Sequence, residues 1–263
     1  MTLTVCVAGG TGWTGRAVAE AVLVAPDLEL RSAVSRSAAG QDLGEAWGGV
    51  PNNVPVHGRV GDALSGVDVL VDFTSHDAVL GNTMAAIERG VAVVIGTSGL
   101  EAADFDAIDA AARNAGVGVV AAGNFSLTAA MAKAAATLAA RYLPSWEIID
   151  YASAGKADAP SGTARELAET LGQAAKERSL ADTHGAVEAR GADIAGTQVH
   201  SLRLPSFVVS TEIVFGLPDE RLSIRHDAGS SAAPYVAGTL LAARAVPTRT
   251  GLTRGLDVLL ADS

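Results

Sequence analysis

Residues 3–15 read LTVCVAGGTGWTG. A β-rich apolar run, LTVCVA, passes directly into three glycines spaced GxxGxxG: Gly9, Gly12 and Gly15. Alanine and valine then recur at helical spacing over 14–25. A strand, a glycine turn and a helix in that order place free N–H groups and a positive dipole end beside a backbone that can approach closely, which suits a pyrophosphate. The turn therefore predicts dinucleotide binding, and the bland alternative is a tight structural turn.

The pattern repeats downstream. LELRSAV (28–34), VDVLVDF (67–73), VAVVIG (91–96) and VGVVAAG (117–123) read as strands, and 76–90 and 100–116 read as helices stopped by Gly90 and Gly116. Strands alternating with helices at this spacing predict an α/β, Rossmann-type parallel sheet with helices on both faces. The Gly-, Asn- and Pro-containing stretch 36–66 is expected to be the least regular part, with a mobile loop. The second strand ends in Val34-Ser35-Arg36-Ser37, with no acid to hold a ribose 2′-hydroxyl. Arg36 between hydroxyls can pair with a 2′-phosphate, which predicts NADPH, with NADH as the alternative cofactor. A solvated loop arginine is the bland reading.

After about residue 125 the pattern changes. Residues 127–143 and 160–178 read as helices, and 146–152, 197–204, 207–216 and 220–228 as strands. This predicts a second, α+β domain with a mixed sheet. A helix over 233–246 and a short tail, GLTRGLDVLL, follow. Within DYASAGKADAPSGTA (150–164), Pro160 precedes a helix that Ser161 or Thr163 can cap, and Thr163 with Glu166 has capping-box spacing. The N–H groups of Ser161, Gly162 and Thr163 are expected to form an anion cradle, with Lys156 as a nearby cation. A cradle plus a lysine suits a carboxylate; an N-capped helix with a surface lysine is the bland reading.

Composition limits the remaining classes. The 263 residues carry a formal net charge of −10, which disfavours nucleic acid and anionic lipid partners. Cys6 is the single cysteine, so no internal disulfide forms, and the five histidines show no metal-ligand spacing. No apolar run is long enough to span a bilayer and the N-terminus has no basic n-region, so a cytoplasmic protein without a signal peptide is expected.

KADAPSGTA (156–164) resembles the KxDxPSGTA signature of the 4-hydroxy-tetrahydrodipicolinate reductase family. In register with it run the glycine turn, DFT (72–74), GTSG (96–99), GNFS (123–126), EIID (147–150), HSLR (200–203) and ERLSIRHDAGSS (220–231). The resemblance implies a dinucleotide-binding domain over 1–125 plus 233–263, a substrate-binding and oligomerisation domain over 126–232, and a homotetramer. It implies hydride transfer to a cyclic imine or enamine dicarboxylate in lysine and diaminopimelate synthesis. By the matching motifs, Gly9, Gly12, Trp13, Thr14, Gly15, Phe73, Thr74, Gly96, Thr97, Ser98, Gly123, Asn124 and Phe125 lie on the cofactor side, with Ser35 and Arg36. Ser153, Lys156, Ser161, Gly162 and Thr163 lie on the substrate side.

The departures bear on the chemistry. Where the family carries a His-His pair before the lysine, this chain has Ala152 and Ser153, and neither supplies a proton near neutral pH. Trp13 and Ser231 stand where the family has arginines. Lys156, Tyr151 or water is then the expected proton donor. The alternatives are a reductase retuned to a less anionic imine or carbonyl (an imine reductase or amine dehydrogenase type) and a catalytically inactive NADPH-binding sensor.

Overall fold

The computed structural model describes residues 2–179 and 182–261. The chain forms two compact units, Met1–Leu127 with Ala232–Ser263, and Thr128–Ser231.

The first unit opens with β1 (Leu3–Ala8), α1 (Trp13–Val24) and β2 (Leu28–Val34). It continues through α2 (Leu43–Ala46), β3 (Val56–His57), α3 (Val60–Ala63), β4 (Val69–Asp72), α4 (His76–Ile87), β5 (Ala92–Ile95), α5 (Ala102–Ala115) and β6 (Gly118–Ala121). Every residue of β4, β5 and β6 is buried, as uninterrupted apolar strands demand in a parallel sheet covered on both faces. Burial also pushes the Cys6 thiol up to about 12. Gly116 ends α5 at φ 69°, a left-handed position that favours glycine.

The segment expected to be the least regular is built around side-chain bonds. Asp42 Oδ1 accepts from the amides of Gly44 (2.8 Å), Glu45 (3.3 Å) and Asn52 (2.9 Å). Trp47 Nε1 donates to the Gly10 carbonyl at 2.9 Å, pinning α2 to the glycine turn.

The second unit contains α6 (Leu127–Ala140), β7 (Trp146–Ala152), α7 (Gly162–Ala174), β8 (Ala192–Ile194), β9 (Thr197–Arg203), β10 (Val209–Leu217) and β11 (Glu220–Ala228). Its strand order is β11-β10-β7-β9-β8; β7 and β9 are parallel and the other pairs antiparallel, the expected mixed sheet. Along β7 burial alternates. Trp146, Ile148, Asp150 and Ala152 face inward, where Trp146 and Ile148 pack with Leu167 and Leu171 of α7. Glu147, Ile149 and Tyr151 point to the other face. The α7 helix is shorter than its sequence pattern predicts, because Ala175 turns extended (φ −72°, ψ 137°).

The chain then returns to the first unit with α8 (Ala233–Ala245), β12 (Gly251–Arg254) and α9 (Leu256–Ala261). The tail holds a strand that its sequence did not announce. β12 pairs parallel to β6, giving the order β12-β6-β5-β4-β1-β2-β3. Among the described residues no helix is long and apolar enough to cross a membrane.

Candidate active site

In the first unit, Gly9 adopts φ +83°, and a Cβ there would collide with the Phe73 carbonyl. A Cβ on Gly15 would strike the Gly9 carbonyl, so α1 can start this close to β1 only with glycine at both positions. Gly12 is the N-cap and offers no side chain to the first-turn amides of Trp13 and Thr14. Those amides and the helix dipole fit an anionic pyrophosphate. Trp13 is 56 % exposed and meets Tyr235 edge-on, with centroids 5.9 Å apart.

At the end of β2, Ser35 Oγ lies 2.8 Å from Thr11 Oγ1 and 3.3 Å from Ser37 Oγ. Arg36 is exposed beside this hydroxyl chain. Asp72, at the end of β4, is wholly buried. Its Oδ1 accepts from the Thr74 amide (2.9 Å), Thr74 Oγ1 (2.6 Å) and Thr97 Oγ1 (2.8 Å), and its Oδ2 from Asn82 Nδ2 (2.8 Å). One carboxylate thus orders both the DFT and the GTSG loops. Gly96 packs so closely under the Phe73 ring that a Cβ would enter it, and Phe73 in turn meets Phe125 edge-on at 6.0 Å. Ser98 is exposed in the loop after β5. Gly123 follows β6, and Asn124 Oδ1 accepts from the Ser126 amide (2.8 Å). Glycine turn, free helix amides, hydroxyl chain and absent acid together fit a nicotinamide dinucleotide.

In the second unit, Ser161 is the N-cap of α7, and its Oγ accepts from the Ala164 amide at 3.2 Å. The expected Thr163–Glu166 capping box is not the one formed, since Ser161 caps and Glu166 accepts from Lys133 of α6. The expected anion cradle is also smaller. The Ser161 amide donates to Asp150 Oδ2 (2.8 Å) and its hydroxyl to Asp150 Oδ1 (2.7 Å), so an internal carboxylate already occupies that donor. Gly162 and Thr163 remain at the first turn. Lys156 lies in the loop between β7 and α7. Its amide donates to the Ser153 carbonyl (3.0 Å), and its Nζ is 2.8 Å from Asp158 Oδ1, with both side chains partly exposed.

Tyr151 is placed differently from Lys156. Its side chain lies on the opposite face of β7 from Asp150, and its hydroxyl donates to Glu212 Oε2 at 3.0 Å. Burial, then that hydrogen bond, raises its pKa. The phenol is committed to Glu212 on that face. Ala152 is fully buried and Ser153 is exposed. His226, on the helix-covered face of β11, is held below its usual pKa by burial.

Sequence reasoning missed Arg203 and Asp150 as site-building residues. Arg203 Nη2 donates to Asp150 Oδ2 (2.8 Å) and to the Asp158 carbonyl (2.7 Å). The only trace in the sequence was the presence of EIID and HSLR among the matching motifs.

Two family descriptions match consecutive parts of the chain: dihydrodipicolinate reductase, N-terminus, over residues 3–125, and dihydrodipicolinate reductase, C-terminus, over 124–260. The chain is 37 % identical to the 4-hydroxy-tetrahydrodipicolinate reductase of Nocardia farcinica, over 99 % of each chain. It is 38 % identical to that of Moorella thermoacetica, over 98 % of each. Among solved structures it is similar to dipicolinate-bound dihydrodipicolinate reductase from Paenisporosarcina sp. TG-14, with a TM-score of 0.79 and 27 % identity over 98 % of this chain and 99 % of that one. An amine dehydrogenase from Mycobacterium smegmatis shares the fold (TM-score 0.69, 14 % identity, 98 % and 96 % covered).

Proposed function

The chain belongs to the dihydrodipicolinate reductase family, and from that premise we propose that it reduces a cyclic imine or enamine dicarboxylate in lysine and diaminopimelate synthesis. It is an oxidoreductase of the nicotinamide-dependent kind. One observation carries the reading. Full-length similarity to the reductases coincides with a lysine on the loop that ends at the capped start of α7, the arrangement a carboxylate substrate needs. Neither a reductase retuned to a less anionic substrate nor a silent sensor is favoured by these relatives.

In this reading the first unit holds the dinucleotide and the second the substrate. When bound, the reduced nicotinamide supplies a hydride from C4 to a ring carbon of the substrate. The Gly9–Gly15 turn and the first-turn amides of α1 would hold the pyrophosphate, and Asp72 keeps Thr74 and Thr97 in place at the ends of β4 and β5. Arg36 and the Ser35 hydroxyl would take a 2′-phosphate, which would favour NADPH over NADH. Gly162 and Thr163 at the start of α7 bind one substrate carboxylate, and the Lys156 ammonium leaves Asp158 for it. With Ala152 and Ser153 in place of imidazoles, Lys156 is the one cationic side chain on its loop, and it supplies the proton that accompanies the hydride. The face of the second sheet that bears Ile149, Tyr151, Leu202 and Val214 is covered by neither α6 nor α7, and it is the surface through which a homotetramer forms. The protein works in the cytoplasm.

The test is turnover. Purified protein is supplied with NADPH or NADH and with the product of dihydrodipicolinate synthase. Oxidation of the cofactor well above background, with the higher kcat/KM for NADPH, supports the reading. Cofactor binding without turnover of that substrate overturns it.

A further inference from the structure

The second unit contains a buried ion pair that the hydride-transfer reading leaves without a task. The Asp150 side chain is 1 % exposed and that of Arg203 16 %. Desolvation offsets most of the attraction in such a pair, so stability alone is a weak account of it. Its hydrogen bonds point to another role. Asp150 accepts from the Ser161 amide and hydroxyl, and from Ser201 Oγ at 3.3 Å. Arg203 Nη2 bridges Asp150 Oδ2 and the Asp158 carbonyl, while Nη1 donates to the carbonyls of Asp150 (3.2 Å) and Leu202 (3.0 Å). The Leu204 amide donates to the Ala152 carbonyl at 3.2 Å.

Three of these bonds bracket the segment 153–161. Its root is tied at Ala152, its far end at Ser161, and its middle at Asp158, two residues beyond Lys156. A planar guanidinium can grip a carboxylate and a carbonyl at fixed angles, whereas an ammonium offers one point. Asp150 also sits against the start of α7, where a lone carboxylate would repel an incoming anion and Arg203 cancels its charge.

We infer that Asp150 and Arg203 form a positioning pair that fixes the Lys156 loop and keeps the start of α7 open to a substrate carboxylate. The inference rests on the reading of Lys156 as the carboxylate anchor. Arg203→Lys retains the charge and loses the two-way grip. Arg203→Met loses both, and Asp150→Asn loses the charge while keeping an acceptor for Ser161.

Two measurements separate this inference from the function it rests on. Hydrogen exchange of the free protein reads the loop without any ligand. Residues 153–161 should exchange at least severalfold faster in Arg203→Lys, with the rest of the second unit and the whole of the first unchanged. Calorimetric titration with pyridine-2,6-dicarboxylate reads the anchor. Its Kd should rise roughly tenfold in Arg203→Lys and further in Arg203→Met, as loss of a charge-assisted hydrogen bond implies. In turnover, substrate KM should rise in step and kcat should fall with it, since the loosened loop carries both the anchor and the proton donor, while the Kd for NADPH is unchanged. Unaltered exchange of 153–161 in a folded Arg203→Lys protein overturns the inference, whatever the wild-type activity. So does a parallel weakening of cofactor and dicarboxylate, which would mark general loosening. If Arg203→Met fails to fold, Arg203→Lys and Asp150→Asn decide. Absent wild-type turnover with a fast-exchanging variant loop would instead defeat the substrate reading and leave the positioning role standing.

Discussion

Thr97 Oγ1 donates to Asp72 Oδ1 across 2.8 Å, joining the loop after β5 to the end of β4. The same wholly buried carboxylate holds Thr74 and Asn82, so one side chain keeps the loops after β4 and β5 in register. In Asp72→Asn the new amide faces the Asn82 amide, donor against donor. The expected loss is about 1–3 kcal/mol of stability, read by denaturant titration, together with weaker NADPH binding. Wild-type values for both would remove Asp72 from this role.

The glycines of the first turn make distinguishable demands. A Cβ on Gly15 would enter the Gly9 carbonyl, whereas one on Gly12 would stand 3.2 Å from it. Gly15→Ala should therefore cost about 1–3 kcal/mol through overpacking. Gly12→Ala should keep nearly all its stability but crowd the pyrophosphate and raise the NADPH Kd. Paired melting curves and fluorescence titrations check the contrast, and equal melting losses in both variants would contradict it.

Arg36 stands beside the Thr11–Ser35–Ser37 hydroxyl chain with no acid at the end of β2. Arg36→Ala should lower the NADPH-to-NADH ratio of kcat/KM by roughly tenfold, as expected for loss of a charge-assisted phosphate contact. The rate with NADH should barely change. A ratio that does not move would place the 2′-phosphate elsewhere.

Asp158 holds the Lys156 ammonium in an ion pair that is half open to water, and pairs of that kind contribute about 0–1 kcal/mol. Asp158→Asn should leave the melting temperature almost unchanged and release the ammonium, so substrate KM falls. Lys156→Ala should raise KM and lower kcat. Steady-state kinetics on the two variants must move KM in opposite directions; movement in the same direction would show that Lys156 does not exchange one carboxylate for another.

Glu147 supplies a pH test of the second sheet. Burial would push its carboxyl up, but hydrogen bonds from His200 and Arg190 outweigh this and hold it below the ordinary 4.5. A carboxyl depressed in the folded state contributes stability that is present above its unfolded pKa and lost as pH falls through the folded one. Wild type should therefore exceed Glu147→Gln in stability above about pH 4.5, and the two curves should converge in more acid solution. A gap that persists undiminished to low pH would show that the carboxylate charge contributes nothing.

The parts legible in the sequence were those whose signal is local. LTVCVA with its three glycines specified β1, the turn and α1, and VAVVIG and VGVVAAG specified strands buried on both faces. The period-two pattern of WEIIDYA matched the alternation in β7. What stayed hidden depends on partners distant in the chain. GLTRGLDVLL reads as a tail because nothing within it reports that β6 lies ready to pair with Gly251–Arg254. The Ser161 amide reads as free because its acceptor, Asp150, is a strand residue eleven positions earlier whose inward turn only the sheet reveals. Tyr151 looked available for chemistry until the pleat of β7 assigned it to the opposite face.

The seventh strand, β12, and the helices on either side of it have a bearing on biosynthesis. The ribosome delivers Thr128–Ser231 in full before it delivers the pieces that finish the six-stranded parallel array begun by Met1–Leu127. During that interval β6 is an open edge able to recruit a strand from another nascent polypeptide. A transcript truncated before Gly251 would leave that edge bare for good, and its product would be drawn towards aggregation and degradation.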